Sequence, residues 1–255
     1  MLGVCRRGCG CESVRYHPPV IGIWIAIGVF AWVGFAAWCR FILKNPRGDV
    51  EAGLMWRFVR RYARHMQHLK VIGEHNRPNV VQAGPLIVVV NHTSGVDPVL
   101  AIAACPFEIR WIMASDMRYP LAEGFWQWGR VIFVDRKKRD ASGTREAMKH
   151  VSDGGVLGIF PEGGIEDPPR MLKPFQAGVG LMIRKTGAPV LPIVITGIQH
   201  TSSVAASFWK RGHAVLEFKP IMRFGTELSA AEIAAELQKK YVEWTGWEVG
   251  RGVAE

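Results

Sequence analysis

Twenty consecutive residues without a charge, Val20 to Cys39, constrain this chain of 255 residues more than any other feature. At about 1.5 Å of rise per residue, a helix of that length matches the roughly 30 Å hydrocarbon core of a bilayer. Trp24, Trp32 and Trp38 are spread along it, and Arg40 and Lys44 close it. The segment reads as a membrane-spanning or deeply inserted helix, and a re-entrant or in-plane helix fits the same pattern. A cleaved signal peptide would have a shorter apolar region and small residues at the cut, whereas Ala36-Ala37-Trp38-Cys39 sets a bulky indole there.

A second membrane signal follows. Leu54, Phe58, Tyr62, Met66 and Leu69 recur at helical spacing, with Met55 and Val59 widening the stripe. Arg57, Arg60, Arg61, Arg64, His65, His68 and Lys70 fill much of the remainder. Such a basic amphipathic helix suits a bilayer surface with anionic head groups, or a stripe packed on a domain with a solvated basic face. The formal net charge of +10 likewise predicts an anionic partner. Membrane lipids are the expected partner; nucleic acid is not, because no nucleic-acid motif accompanies the charge. Residues 1–19 then form an N-terminal tail, 20–70 the membrane-anchoring helices and 71–255 the remaining domain. Basic residues are denser after the apolar segment than before it, which favours a cytosolic domain, although Arg6, Arg7 and Arg15 pull the other way.

Cys5, Cys9 and Cys11 crowd the tail. They are read as reduced thiols, with lipidation or a disulfide as the alternatives. No metal site is expected, since no partner cluster follows and His65 and His68 lack the Glu of a zinc-protease motif. Cys105, in an apolar run, is expected in the core.

From Val71 onward, strand-like runs alternate with helix-like stretches. The strands are expected at Leu86–Val90, Ile109–Met113, Val131–Val134, Val156–Phe160, Val190–Thr196 and Ala214–Phe218, with helices over Pro98–Ala104, Ala141–Val151 and Phe175–Lys185. That alternation predicts an α/β sheet covered by helices. Ser229-Ala230-Ala231-Glu232 is a capping box that starts a last helix running to about Trp244.

Four blocks attach to these strands, and polar groups at strand ends can converge on one sheet edge. After Leu86–Val90 comes Asn91-His92-Thr93-Ser94-Gly95-Val96-Asp97, an imidazole five residues before a carboxylate. There a His can take a proton from a hydroxyl while the Asp holds its ring. Val131–Val134 ends in Asp135-Arg136, and Leu157–Phe160 ends in Pro161-Glu162-Gly163-Gly164. The last block, Gly187 to Val194, is a strand bracketed by Pro189 and Pro192.

Over roughly Val71 to Ile198, these blocks in this order resemble the glycerolipid acyltransferases of the lysophosphatidate acyltransferase (PlsC-like) family. The resemblance implies a central mixed sheet flanked by helices. It implies acyl transfer from an acyl thioester, on acyl carrier protein or coenzyme A, to a lysophospholipid hydroxyl, 1-acylglycerol-3-phosphate above all. His92 would be the general base and Asp97 its orienter, Arg136 would contact the acceptor phosphate, and Glu162 and Gly163 would shape the acceptor site. No cofactor is implied beyond the acyl-CoA or acyl-ACP co-substrate. The expected location is a membrane, the bacterial inner membrane with the catalytic domain in the cytosol.

Elementary chemistry agrees with those roles. An alcohol is a poor nucleophile at neutral pH, so attack on a thioester gains from a positioned imidazole. The thioester already has a good leaving group, which makes a covalent acyl-enzyme unnecessary, and the chain contains no Gly-x-Ser-x-Gly elbow. The tetrahedral oxyanion needs donors, expected from backbone N–H groups near the helix start. A guanidinium such as that of Arg136 can hold phosphate oxygens bidentately. The Glu162 carboxylate, closing an apolar strand, must have a role to offset its desolvation, either at the substrate or in fixing the backbone around Gly163.

Two departures stand out. Where the family commonly has Glu-Gly-Thr-Arg, this chain has Glu162-Gly163-Gly164-Ile165, and Gln176 in Pro174-Phe175-Gln176-Ala177-Gly178 stands where a Lys is usual. Both subtract positive charge near the acceptor, and Arg170 or Lys173 is the expected replacement, with Lys173 counted among the substrate-binding residues. The alternatives are an acceptor such as an amine- or amino-acid-bearing lysolipid, and a non-catalytic membrane scaffold.

Overall fold

A computed structural model describes residues 20–119, 122–135, 142–199 and 204–250. The tail with Cys5, Cys9 and Cys11 lies outside the described residues. Two compact units meet between Ile42 and Leu43. In the first, helix α1 (Val20–Leu43) is long and apolar enough to cross a membrane, and Ile25, Phe30 and Trp32 on it are exposed.

The second unit begins at Leu43 and is built around one sheet. Its elements are α2 (Val50–His65), β1 (Lys70–Ile72), β2 (Leu86–Val90), α3 (Asp97–Ala104), β3 (Arg110–Ala114), α4 (Glu123–Trp128), β4 (Ile132–Val134), α5 (Ser142–Ser152) and β5 (Val156–Ile159). Then come β6 (Met171–Leu172), α6 (Ala177–Thr186), β7 (Val190–Thr196), α7 (Val204–Ser207), β8 (Val215–Phe218), α8 (Ala230–Thr245) and β9 (Glu248–Val249). Seven strands pair in the order β1-β8-β7-β2-β5-β3-β4, and β6 pairs with β9 separately. The β7–β8 pair is antiparallel and the other described pairs are parallel, so the sheet is mixed, as expected.

Strands covered on both faces must be apolar on both faces, which is why β2 reads Leu-Ile-Val-Val-Val. Leu86, Val88 and Val90 join the cluster of Trp56, Val59 and Ala63 from α2 and Leu100 from α3. Ile87 and Val89 join the opposite cluster with Val179 and Ile183 of α6 and Ile233 and Leu237 of α8. Cys105 is fully buried in the first cluster. Two buried polar side chains staple the central strands. Asn91 donates to Ile195 O at 2.9 Å and accepts from Ile195 N at 2.7 Å, while Tyr241 Oη donates to Val89 O at 2.7 Å.

The amphipathic helix α2 differs from its sequence reading. Its buried face is Ala52, Gly53, Trp56, Val59 and Ala63, while Leu54 and Phe58 are exposed. Small residues at 52, 53 and 63 allow close approach around Trp56, so size rather than hydrophobicity selects the packed face. The large apolar side chains of the expected stripe are divided between two faces. One face of the helix therefore packs on the domain, as the second reading expects, and an apolar strip with arginines remains outside it.

Helices α6 and α8 meet where Gly180 lies against the α8 start; a Cβ on Gly180 would stand 1.9 Å from Ala230 O. Backbone cannot yield there as a flexible side chain would. Gly180→Ala is expected to destabilise the protein by about 1–3 kcal/mol, the usual cost of overpacking, as a drop in thermal midpoint in detergent.

Candidate active site

Strand register brings the two main polar groups together. Val89 of β2 pairs with Ile159 of β5, so His92 and Glu162, each three residues further on, emerge side by side. Phe160-Pro161-Glu162-Gly163 is a turn closed by Gly163 N donating to Phe160 O at 3.1 Å, with Pro161 in the second position and Gly163 at φ 71°. The Glu162 carboxylate accepts from His92 N at 2.7 Å through Oε1 and from Lys173 N at 2.8 Å through Oε2. Burial pushes Glu162 up to about 8, its two backbone donors hold the rise back, and Glu166 and Asp97 add to it.

Asp97 opens α3 and is fully buried, where a carboxylate is tolerated only with its acceptor positions filled. Four donors fill them. Oδ2 accepts from His92 Nδ1 at 2.9 Å, from Thr93 N at 2.7 Å and from Ser94 N at 2.7 Å, and Oδ1 accepts from Thr93 Oγ1 at 3.0 Å. With Nδ1–H donating to this carboxylate, Nε2 is the ring nitrogen left to receive a proton. Among the described residues no hydrogen-bond partner occupies Nε2. The same network narrows the expected oxyanion donors: the N–H groups of Thr93 and Ser94 are committed to Asp97, and that of His92 to Glu162.

Aromatic rings fix the plane of the imidazole. His92 stacks on Phe160 at 4.0 Å between centroids, and Phe160 stacks on Trp111 at 4.8 Å. Gly158 makes room for the stack, since a Cβ there would stand 2.6 Å from the Trp111 ring. The sequence named neither Phe160 nor Trp111 as a site residue. Its one available signal was a glycine inside an apolar strand, which marks a close approach.

The acceptor end is less like its expectation. Arg136 lies outside the described residues, so its role is an expectation from the resemblance alone. Lys173, by contrast, has its backbone tied to Glu162, and its Nζ lies 3.5 Å from where a Cβ on Gly164 would stand. The ammonium thus takes the space that a larger residue at 164 would enter. Arg170 is exposed and left-handed at φ 63°, and its backbone N–H serves Glu166.

Glu166 is the buried acid that the sequence reading missed. Its N–H donates to His92 O at 2.7 Å, so residues 162–166 grip His92 through both its backbone groups. Its side chain is buried, and Oε2 has no hydrogen-bond partner among the described residues. Burial pushes it up to about 7, and Asp97 adds to the rise against the Arg170 backbone.

Two outcomes test this geometry. Asp97→Asn is expected to lower kcat by roughly 10²–10⁴-fold with little change in KM, because the amide oxygen can still hold the ring but the negative charge that stabilises the imidazolium is gone. For Glu166, the folded protein holds a proton that the unfolded chain has released between its ordinary 4.5 and about 7. Stability from this group is therefore full below that window and lost as pH rises through it. Glu166→Gln should flatten the fall of thermal midpoint across those pH values, and an unchanged slope would contradict the assignment.

Comparison with known proteins places this geometry in a family. The family model described as Acyltransferase matches residues 68–196, about half of the chain. The 1-acyl-sn-glycerol-3-phosphate acyltransferase of Borreliella burgdorferi is 31% identical over 121 residues, covering 46% of this chain and 48% of that protein. The N-acylphosphatidylethanolamine synthase of Arabidopsis thaliana is 29% identical over 132 residues, covering 46% of each. The chain spans about half the length of these curated relatives. The solved structure of the 1-acyl-sn-glycerophosphate acyltransferase PlsC of Thermotoga maritima has a TM-score of 0.59 at 21% identity, over 89% of this chain and 95% of that one, and bears on the fold. With the family's region spanning every strand from β2 to β7 and both carboxylates that hold His92, this chain belongs to the Acyltransferase family, the group of glycerolipid enzymes that its four blocks resemble.

Proposed function

We propose that the protein moves a fatty acyl group from an acyl thioester to the free hydroxyl of a membrane lysophospholipid, 1-acylglycerol-3-phosphate. The observation that carries this reading is the buried Asp97 holding His92 Nδ1 at 2.9 Å with Nε2 unpartnered. The acceptor hydroxyl gives its proton to Nε2 as its oxygen forms a bond to the thioester carbonyl carbon. The tetrahedral intermediate then collapses with cleavage of the carbon–sulfur bond, and the thiolate takes the proton from the imidazolium. The chain supplies base and positioning, the acyl-CoA or acyl-ACP supplies the leaving group, and no metal or bound cofactor enters these steps.

Glu162 and the Gly163 turn set the distance between base and acceptor site. Lys173, with Arg136 in the role that the resemblance implies, holds the phosphate. Helix α1 and the exposed apolar strip of α2 keep the domain at a membrane, read as the bacterial inner membrane with the domain cytosolic. A non-catalytic scaffold would have no need of an imidazole held by a four-donor buried carboxylate.

One observation favours a second acceptor class. Residues 162–167 read Glu-Gly-Gly-Ile-Glu-Asp, without the Thr-Arg common in the family, so a phosphate monoester finds fewer cations here and an amine-bearing head group meets fewer to repel it. The Arabidopsis relative, named for N-acylphosphatidylethanolamine, is compatible with that class. An acceptor panel with labelled acyl donors separates the two. If 1-acylglycerol-3-phosphate leads the panel, Lys173→Ala should raise its KM on the order of tenfold, the value of one charge-assisted hydrogen bond, and leave monoacylglycerol unaffected. A panel led by lysophosphatidylethanolamine would instead select the amine class.

A further inference from the structure

Trp209, in the turn after α7, is 83% exposed, the most exposed large apolar side chain among the described residues. Its neighbours Lys210 and Arg211 are exposed as well. The turn is tied down. Tyr62 Oη donates to Phe208 O at 2.9 Å, Gln67 Nε2 donates to Lys210 O at 2.8 Å, and Gly212 N donates to Met66 O at 3.1 Å. An indole held out into water on a fixed turn has no hydrogen-bond partner among the described residues, and an amphipathic ring of this kind is at home at the head-group level of a bilayer.

Charge selects the kind of surface. No acidic residue occurs from Ile195 to His213 or from Arg57 to Lys70. The end of α2 to which the turn is tied adds exposed Arg61, Arg64 and His65. An apolar tip flanked by exposed cations and by two stretches of chain without an acid matches an anionic lipid surface, with the ring below the phosphates and the cations among them. A protein partner would need complementary acids and a shaped pocket for the indole. The bilayer needs neither, and the same chain carries α1.

The turn also communicates with the site. A Cβ on Gly95 would stand 2.6 Å from Val204 Cγ1 and 3.0 Å from Ser207 Oγ, so α7 lies directly on the loop between His92 and Asp97. We infer that Trp209, Lys210 and Arg211, continuous with the exposed cations at the end of α2, form a membrane contact that grips anionic lipid and sets the His92 loop at the depth of a lysolipid hydroxyl.

The test uses the full chain in nanodiscs, with phospholipids brominated near the glycerol end of the acyl chains. The Trp209 emission is taken as wild type minus Trp209→Phe. It should be quenched at least twofold by brominated phosphatidylglycerol, clearly less by brominated phosphatidylcholine, and Lys210→Glu with Arg211→Glu should remove the difference without changing the thermal midpoint. Trp209→Ala should raise KM for a bilayer-resident lysolipid several-fold and leave turnover of a micellar short-chain lysolipid unchanged. Trp209 emission indifferent to bromine, or equally quenched in both lipids, overturns the inference. The quenching requires no catalysis, so it stands or falls apart from the proposed reaction.

Discussion

Glu162 grips two backbone N–H groups at once, that of His92 after β2 and that of Lys173 after β6, and the rest of the site hangs on that grip. One carboxylate thereby fixes the separation between the His92 backbone and the Lys173 backbone. Parallel pairing of β2 with β5 makes the contact possible by bringing both strand ends out at one edge. Glu166 completes the hold by donating its own N–H to the His92 carbonyl. His92, the proposed base, is thus positioned by main chain on both sides before its side chain meets Asp97 or Phe160. Such preorganisation matters because a misplacement of about 1 Å at a reacting group costs on the order of a hundredfold in rate.

The site divides electrostatically. At the His92 end, Asp97 is buried with four donors converging on it, and the ring is clamped from one face by Phe160 and from its edge by the carboxylate. At the acceptor end, Gly164 opens space that the Lys173 ammonium enters, while Glu166 keeps an unpartnered oxygen in the interior. A buried acid without a full set of partners is a cost a chain would shed unless something offsets it. The proton that Glu166 retains to about 7 is one such offset.

Much of this was legible in the sequence, for reasons that residues make plain. Parallel strands buried on both faces must be continuous runs of β-branched residues, so Leu86–Val90 and Val190–Thr196 were read to the residue. The Ser229 capping box marked the start of α8 through its own hydrogen bonds. His92, Asp97 and Glu162 could be named because they end apolar runs and stand in the order of the blocks that resemble the family, which the His92/Asp97 spacing alone would not have carried. The face of α2 could not, since Ala52, Gly53 and Ala63 pack by being small while the larger Leu54 and Phe58 stay outside. Glu166 and Trp111 were invisible for a related reason. An acid in a Pro-rich loop looks solvated and an aromatic in a strand looks like core, and only the three-dimensional register brings either to His92. The departure at Gly164-Ile165 was visible at once, and so was Lys173 as a candidate, but that its ammonium folds back beside Gly164 depended on the path of the chain between them.

The central claim is that His92 accepts the acceptor's proton during direct acyl transfer. Its most direct measurement is the transfer of a labelled acyl group from an acyl thioester to a lysophospholipid, by wild type and His92→Ala at matched thermal stability in nanodiscs. The account predicts labelled diacyl product from wild type, none above background from the variant, and no label left covalently on the protein. Equal product from both forms, or a stable acyl-protein intermediate in wild type, would contradict it.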